Sequence, residues 1–185
     1  MTETVRRHHV RALIEQPRIE RRISELAAEI NRDYADSSAV VAIGVLKGAV
    51  MFYAELVRQL DIPVMVDFFQ TASYGAGTKA GEIRIKRDID LPIRGRDVIL
   101  VEDIVDTGWT VRTILDLFRF RGARSVKLCS LLDKAEAREV DVPIDYCGFK
   151  IGKEFVVGYG LDYGERYRNL PYVGVVELDE PEESA

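Results

Sequence analysis

The chain has 185 residues, about the size of one domain, and its 47% hydrophobic and 31% charged fractions are those of an ordinary folded globular protein. A formal charge of -5 argues against broad binding to nucleic-acid backbones, which takes clustered Lys and Arg. No apolar run approaches the ~20 residues of a membrane span, and the N-terminal MTETVRRHHV lacks the apolar stretch of a secretory signal, so the expected setting is cytoplasmic with no membrane partner.

From the N-terminus, His8 and His9 fall in a polar arm with no third metal-ligand candidate nearby, and they read as solvated and functionally silent. Pro17 suits a first helical turn, and Ile19, Ile23, Leu26, Ala27 and Ile30 follow at helical spacing. VVAIGVL (40–46) is a continuous apolar run of strand length, after which Lys47 and Gly48 open a second helical pattern reaching about Leu60. VMVDFFQTAS and EIRIKRDI read as strands on either side of YGAGTKAG (74–81), a stretch too polar and glycine-rich to pack a core.

VILVEDIVDTGWT (98–110) sends an apolar strand into Glu102, Asp103 and Asp106, then into Thr107, Gly108 and Thr110 ahead of a helix carrying Val111, Ile114, Leu115 and Phe118 and ending at Gly122. SVKLCSLLDK, YCGFKI and FVVGYG supply further strands. Cys129 and Cys147 lie inside such segments without CxxC or Cys/His spacing and read as buried thiols. The tail LDEPEESA is acidic, lacks apolar anchors and is expected to fray.

Apolar strands alternating with helices imply an α/β fold with a mainly parallel sheet covered on both faces. Ligands in such sheets gather beyond the carboxyl ends of the strands, where Lys47, the 102–110 loop and Lys134 converge. The 102–110 loop sets a charge problem. Small residues opening a helix form an anion cradle, yet three carboxylates stand beside it. A sugar phosphate satisfies both, since its phosphate meets the amides while its hydroxyls donate to acceptor-only carboxylates. Nearby carboxylates also favour positive charge developing at a reacting sugar carbon.

VILVEDIVDTGWT closely resembles the phosphoribosyl-diphosphate motif of the type I phosphoribosyltransferases. LKG (46–48), SYG (73–75), LLDK (131–134) and EFVVGYGLDYGERYRNLP (154–171) resemble, in the same order, the hypoxanthine-guanine branch of that family. The resemblance implies a single domain over 1–185: a twisted, mainly parallel sheet flanked by helices, a small hood from the N- and C-terminal segments, and a flexible lid at about 70–85 carrying Ser73 and Tyr74. It implies transfer of a phosphoribosyl group to a 6-oxopurine, with magnesium, by a homodimer or homotetramer that takes small-molecule substrates and no nucleic acid.

The same resemblance implies residue roles. Glu102 and Asp103 hold ribose hydroxyls and influence the metal, and Asp106 is the catalytic acid or base near purine N7. Thr107, Gly108, the Trp109 amide and Thr110 hold the 5′-phosphate. Lys47 and Gly48, with a cis Leu46–Lys47 peptide, and Arg168 meet the diphosphate. Lys134 meets the base O6, Phe155 stacks on the base, Val156 reads its edge through the backbone, and Asp162 lies between base and metal. Trp109 departs from the family, where a smaller apolar residue or a lysine is common, so its indole receives no role. Two rivals remain at this stage: a nucleotide-sensing RNA-binding regulator on the same fold, and a phospho-acceptor receiver domain, which leaves the phosphate loop and lid without a purpose.

Overall fold

The computed structural model describes residues 8–73 and 83–178. Thirteen elements follow one another among them: β1 (His8–Ile14), α1 (Gln16–Asp33), β2 (Val40–Leu46), α2 (Val50–Val57), β3 (Val64–Ser73), β4 (Ile83–Arg87), β5 (Asp97–Val105), α3 (Trp109–Phe120), β6 (Ser125–Asp133), a 3-10 turn (Ala135–Ala137), β7 (Tyr146–Lys150), β8 (Val156–Val157) and β9 (Val173–Leu178). Six strands form one sheet in the order β4-β3-β2-β5-β6-β7. All its neighbours are parallel except β3 and β4, which pair antiparallel. An antiparallel edge strand on a parallel sheet is common in α/β folds.

The central strands bury both faces, and alternate residues along each enter different cores. Val40 and Ala42 of β2, with Ile99 and Val101 of β5, pack in a cluster with α1 and α2. Val41, Ile43, Val98 and Leu100 face the other way, into a cluster with Val111, Ile114, Leu115 and Phe118 of α3. The five apolar positions anticipated on α1 are its buried residues, so the 3.6-residue period placed the correct stripe.

A second sheet, β1-β9-β8, is antiparallel, and its Val156, Val173 and Val175 extend the α1/α2 cluster. His8 and His9 therefore stand in a strand rather than a free arm, with the His9 side chain 61% exposed in keeping with the solvated reading. Both lie in β1, opposite Leu178 and Glu177, and His9 Nε2 is 2.9 Å from Glu177 Oε2. A polar strand is hard to see when its pairing partner lies at the far end of the chain. FVVGYG supplies only the two residues of β8; after them Gly158, Tyr159 and Gly160 turn through positive φ. The second helix is shorter than its pattern, because its flanks close as tight turns: Val50 N–H bonds Lys47 O, and Gln59 and Leu60 bond Leu56 and Val57 three residues back. Cys129 is buried and Cys147 partly so, both as free thiols. Of the tail, Leu178 closes β9 and the remainder lies outside the described residues.

Candidate active site

Parallel neighbours β2, β5 and β6 end side by side, which carries Lys47, the loop after β5 and Lys134 to one edge. Lys134 N–H bonds Val105 O at 3.0 Å, so that lysine is tied to the residue preceding Asp106. It is 8% exposed, and its ammonium makes no ion pair with a described residue. A buried cation without a carboxylate partner is costly unless something else meets it.

Glu102 is buried at the end of β5, and its Oε2 has no hydrogen-bond partner among the described residues. Burial, then the neighbouring Asp103 charge, drives its carboxyl well above the usual range. The Asp103 carboxyl is pushed up to about 6, chiefly by desolvation; the Ile104 amide and Arg168 oppose this and Asp162 adds to it. Its carboxylate lies against the α-carbon of Gly48. A Cβ there would overlap Oδ2 and sit 2.5 Å from Cγ, so any larger residue would force the Asp103 side chain to shift. The Leu46–Lys47 peptide is cis, as the resemblance implied.

Asp106 is exposed at the start of the next loop. Gly108 takes φ 93°, the left-handed region that favours glycine, and α3 begins at Trp109. The Glu139 and Val140 amides both bond Thr107 O, at 3.0 and 3.2 Å, and a Cβ at Gly108 would lie 3.0 Å from Val140 O. The loop is thus backed by residues 138–140. The Trp109 indole donates to Glu139 Oε2 at 2.8 Å, a latch between loop and backing that the sequence left unassigned.

Arg168 is the hub of a second cluster. It donates to Gly160 O at 2.8 Å and lies 2.7 Å from Asp162 Oδ1 and 3.2 Å from Glu165 Oε2. Lys47 meets the same Glu165 oxygen at 2.9 Å, and the two cations, Lys47 first, hold the Glu165 carboxyl below its usual range. Gly160, at φ 105°, has no room for a Cβ, which would overlap Gly48 O. The 158–168 loop therefore rests directly on the Lys47–Gly48 turn.

Val156 is buried in β8, opposite Val175, whereas Phe155 is 54% exposed with its ring edge-to-face to Tyr163 at 5.6 Å. Ser73 is the last residue of β3, and Tyr74 lies outside the described residues. Glu102, Asp103 and Asp162 do not form a closed cage: among the described residues no group of three or more His, Cys, Asp or Glu is arranged to hold a metal. Sequence reasoning also passed over Gly160, Tyr163 and Glu165, although all three stood inside a quoted motif. Their importance comes from backbone turns and contacts across more than a hundred residues, which no local pattern encodes.

An acid-bearing strand end thus joins a glycine-opened helix at the carboxyl edge of a mainly parallel sheet. The chain belongs to the phosphoribosyl transferase domain family, which matches residues 9–164. Among its relatives is the hypoxanthine phosphoribosyltransferase of Haemophilus influenzae, 45% identical over 179 residues, 95% of this chain and 100% of that one. Another is the hypoxanthine-guanine phosphoribosyltransferase of Bacillus subtilis, 45% identical over 168 residues, covering 90% and 93%. The crystal structure of a hypoxanthine-guanine phosphoribosyltransferase from Bacillus anthracis matches with a TM-score of 0.88 at 41% identity, covering 91% of this chain and 100% of that one.

Proposed function

We propose that this protein is a purine-salvage enzyme that transfers the 5-phosphoribosyl group of phosphoribosyl diphosphate to N9 of hypoxanthine or guanine, releasing diphosphate. The observation that carries this reading is the end of β5, where buried Glu102 and partly buried Asp103 run straight into an anion cradle beside a lysine that pairs with no described carboxylate. Acids alone suit a metal, and a cradle alone suits any phosphate. Their junction suits a sugar phosphate that reacts at its anomeric carbon.

In this reading the Thr107, Gly108, Trp109 and Thr110 amides hold the 5′-phosphate at the positive end of α3. Glu102 and Asp103 accept from the ribose hydroxyls and favour an oxocarbenium-like carbon. The base enters between Phe155, which stacks on it, and Lys134, which donates to O6; the Val156 backbone meets its far edge. Asp106, exposed at the rim, takes the proton near N7 as the new bond forms. Lys47, Gly48 and Arg168 receive the leaving diphosphate, and Ser73 and Tyr74 belong to a lid that keeps water from the activated sugar.

The residues fit magnesium. Glu102 Oε2 lacks a hydrogen-bond partner among the described residues, the Asp103 carboxyl is raised chiefly by desolvation, a cost that a bound cation would offset, and the donors are all oxygen. These carboxylates stand beside the sugar-phosphate cradle, so an ion there would also take oxygens from substrate and water. Glu102, Asp103 and Asp162 would hold it, and it would neutralise charge on the departing diphosphate.

We read residues 1–185 as one domain with a hood, acting in the cytoplasm as a homodimer or homotetramer, which light scattering on the purified protein would settle. No described helix is long and apolar enough to cross a membrane. The deciding experiment incubates hypoxanthine, guanine, xanthine, adenine and uracil separately with phosphoribosyl diphosphate and magnesium, scoring nucleotide product. Nucleotide from hypoxanthine or guanine, and only traces from adenine or uracil, is the expected result. Equal use of adenine or uracil refutes the assignment.

A further inference from the structure

Glu165 has no part in the reaction described above, yet it touches both cations assigned to the diphosphate. One carboxylate oxygen, Oε2, lies 2.9 Å from the Lys47 ammonium and 3.2 Å from Arg168 Nη2. Those cations belong to loops far apart in sequence, one following β2 and the other preceding β9. A single anionic oxygen bridging them is the arrangement that a diphosphate oxygen would itself adopt.

Glu165 also stands in an uncommon conformation. Its φ is 65°, with Tyr159 at 50° and Tyr167 at 73° in the same loop. Non-glycine residues in this region are unusual and persist only when their surroundings hold them. The hold on Glu165 is visible: its amide donates to Asp162 Oδ2 at 2.9 Å, and a Tyr163–Arg166 bridge closes the turn around it. The backbone is thus bent so that this side chain reaches the two cations.

The grip is weak by design of its surroundings. Glu165 and Lys47 are 65% and 54% exposed at their side chains, and exposed ion pairs contribute little. Arg168 has closer partners than Glu165, Gly160 O at 2.8 Å and Asp162 at 2.7 Å. Displacing Glu165 would therefore free Lys47 and one edge of Arg168 without unmooring the guanidinium.

We infer that Glu165 is a built-in occupant of the diphosphate subsite, a carboxylate that holds Lys47 and Arg168 between turnovers and must be displaced by phosphoribosyl diphosphate or diphosphate. This rests on the assignment of Lys47 and Arg168 to diphosphate made above. The occupant lowers apparent affinity by the fraction of time it holds the cations, and the same return of Glu165 to the cations favours departure of the product diphosphate.

The test is calorimetric titration of inorganic diphosphate, with magnesium present, into wild type, Glu165→Gln and Glu165→Asp, with thermal melts to confirm folding. Glutamine removes the anion. Aspartate keeps the charge but is one methylene too short to bridge both cations. The inference expects about three- to tenfold tighter diphosphate binding in both variants, with KM for phosphoribosyl diphosphate falling in parallel and kcat not rising. Weaker binding in Glu165→Gln would overturn it, making the residue a brace for the cations. So would tight binding in Glu165→Gln with wild-type affinity in Glu165→Asp, the mark of a long-range field. Equal affinity in all three, from a wild type that makes nucleotide, refutes the occupant alone; a wild type that neither binds diphosphate nor makes nucleotide refutes the underlying functional reading and the occupant with it.

Discussion

Replacing Lys134 by Ala tests the base-recognition reading through one side chain. Lys134 is 8% exposed, and no carboxylate among the described residues pairs with its ammonium. A base carbonyl arriving there forms a charge-assisted hydrogen bond largely out of water, of about 1.5–3 kcal/mol. At ~1.36 kcal/mol per decade, its loss lowers kcat/KM for hypoxanthine by about ten- to 150-fold. Adenine presents a 6-amino donor to an ammonium that has three donors and no acceptor, so the wild type should disfavour adenine by about a thousandfold or more, as sites with built-in polar matching do. In Lys134→Ala that preference shrinks by the factor lost on hypoxanthine, because adenine never used the lysine. The assay is initial-rate kinetics with each base at saturating phosphoribosyl diphosphate, alongside KM for phosphoribosyl diphosphate, which should barely change. Unaltered hypoxanthine efficiency, or an equal loss on adenine, would refute the role of Lys134.

Asp106→Ala should lower turnover by roughly 10²- to 10⁴-fold, the range for a lost acid-base group, while calorimetric affinity for phosphoribosyl diphosphate stays near wild type; a parallel loss of affinity would count against a proton-transfer role. Gly48→Ala drives a Cβ into the Asp103 carboxylate and should cost about 1–3 kcal/mol by overpacking. Adding Asp103→Ala should restore the melting temperature but not activity, and no restoration would mean the clash lies elsewhere. Asp97 accepts from Arg124, Ser37 and Ser125, and Arg124 above all holds its carboxyl below the usual range. A depressed folded-state value contributes stability that is present above the unfolded carboxyl value of ~3.9 and lost as pH falls below it. Asp97→Asn should therefore destabilise at pH ~7 by about 1.5 kcal/mol, the low end for such bonds because Arg124 is half exposed. The gap from wild type should narrow in melts near pH ~3, and a gap independent of pH would refute the linkage.

Much of this molecule is local, and local features are legible. Whether a strand is buried on one face or two, whether a helix has a stripe, and whether a small-residue turn opens a helix are all set by neighbours within a few residues. VVAIGVL and VILVEDIV therefore read correctly as two-faced strands, the stripe of α1 matched residue for residue, and the acids and cradle after β5 fell in order along one short stretch. That local grammar was enough to indicate a parallel sheet and a sugar-phosphate ligand at its carboxyl edge.

What depended on distance was decided only by the tertiary structure. β1 carries a polar sequence and is a strand because β9, some 165 residues away, supplies its ladder of hydrogen bonds, and its own composition does not demand that state. Glu165 passes unremarked inside its motif until folding brings Lys47 to one of its oxygens. In the sequence Gly48 opens a helical pattern and Gly160 passes unremarked, yet a Cβ at one would meet the Asp103 carboxylate and at the other the Gly48 carbonyl. The shifted carboxyls of Glu102 and Asp103 follow the same rule, since a pKa responds to burial and to charges in space rather than along the chain. Sequence alone determined which groups the site contains, because strand ends and helix starts are local; only the packing of distant loops decided which of them touch, and hence which cations are held before any substrate arrives.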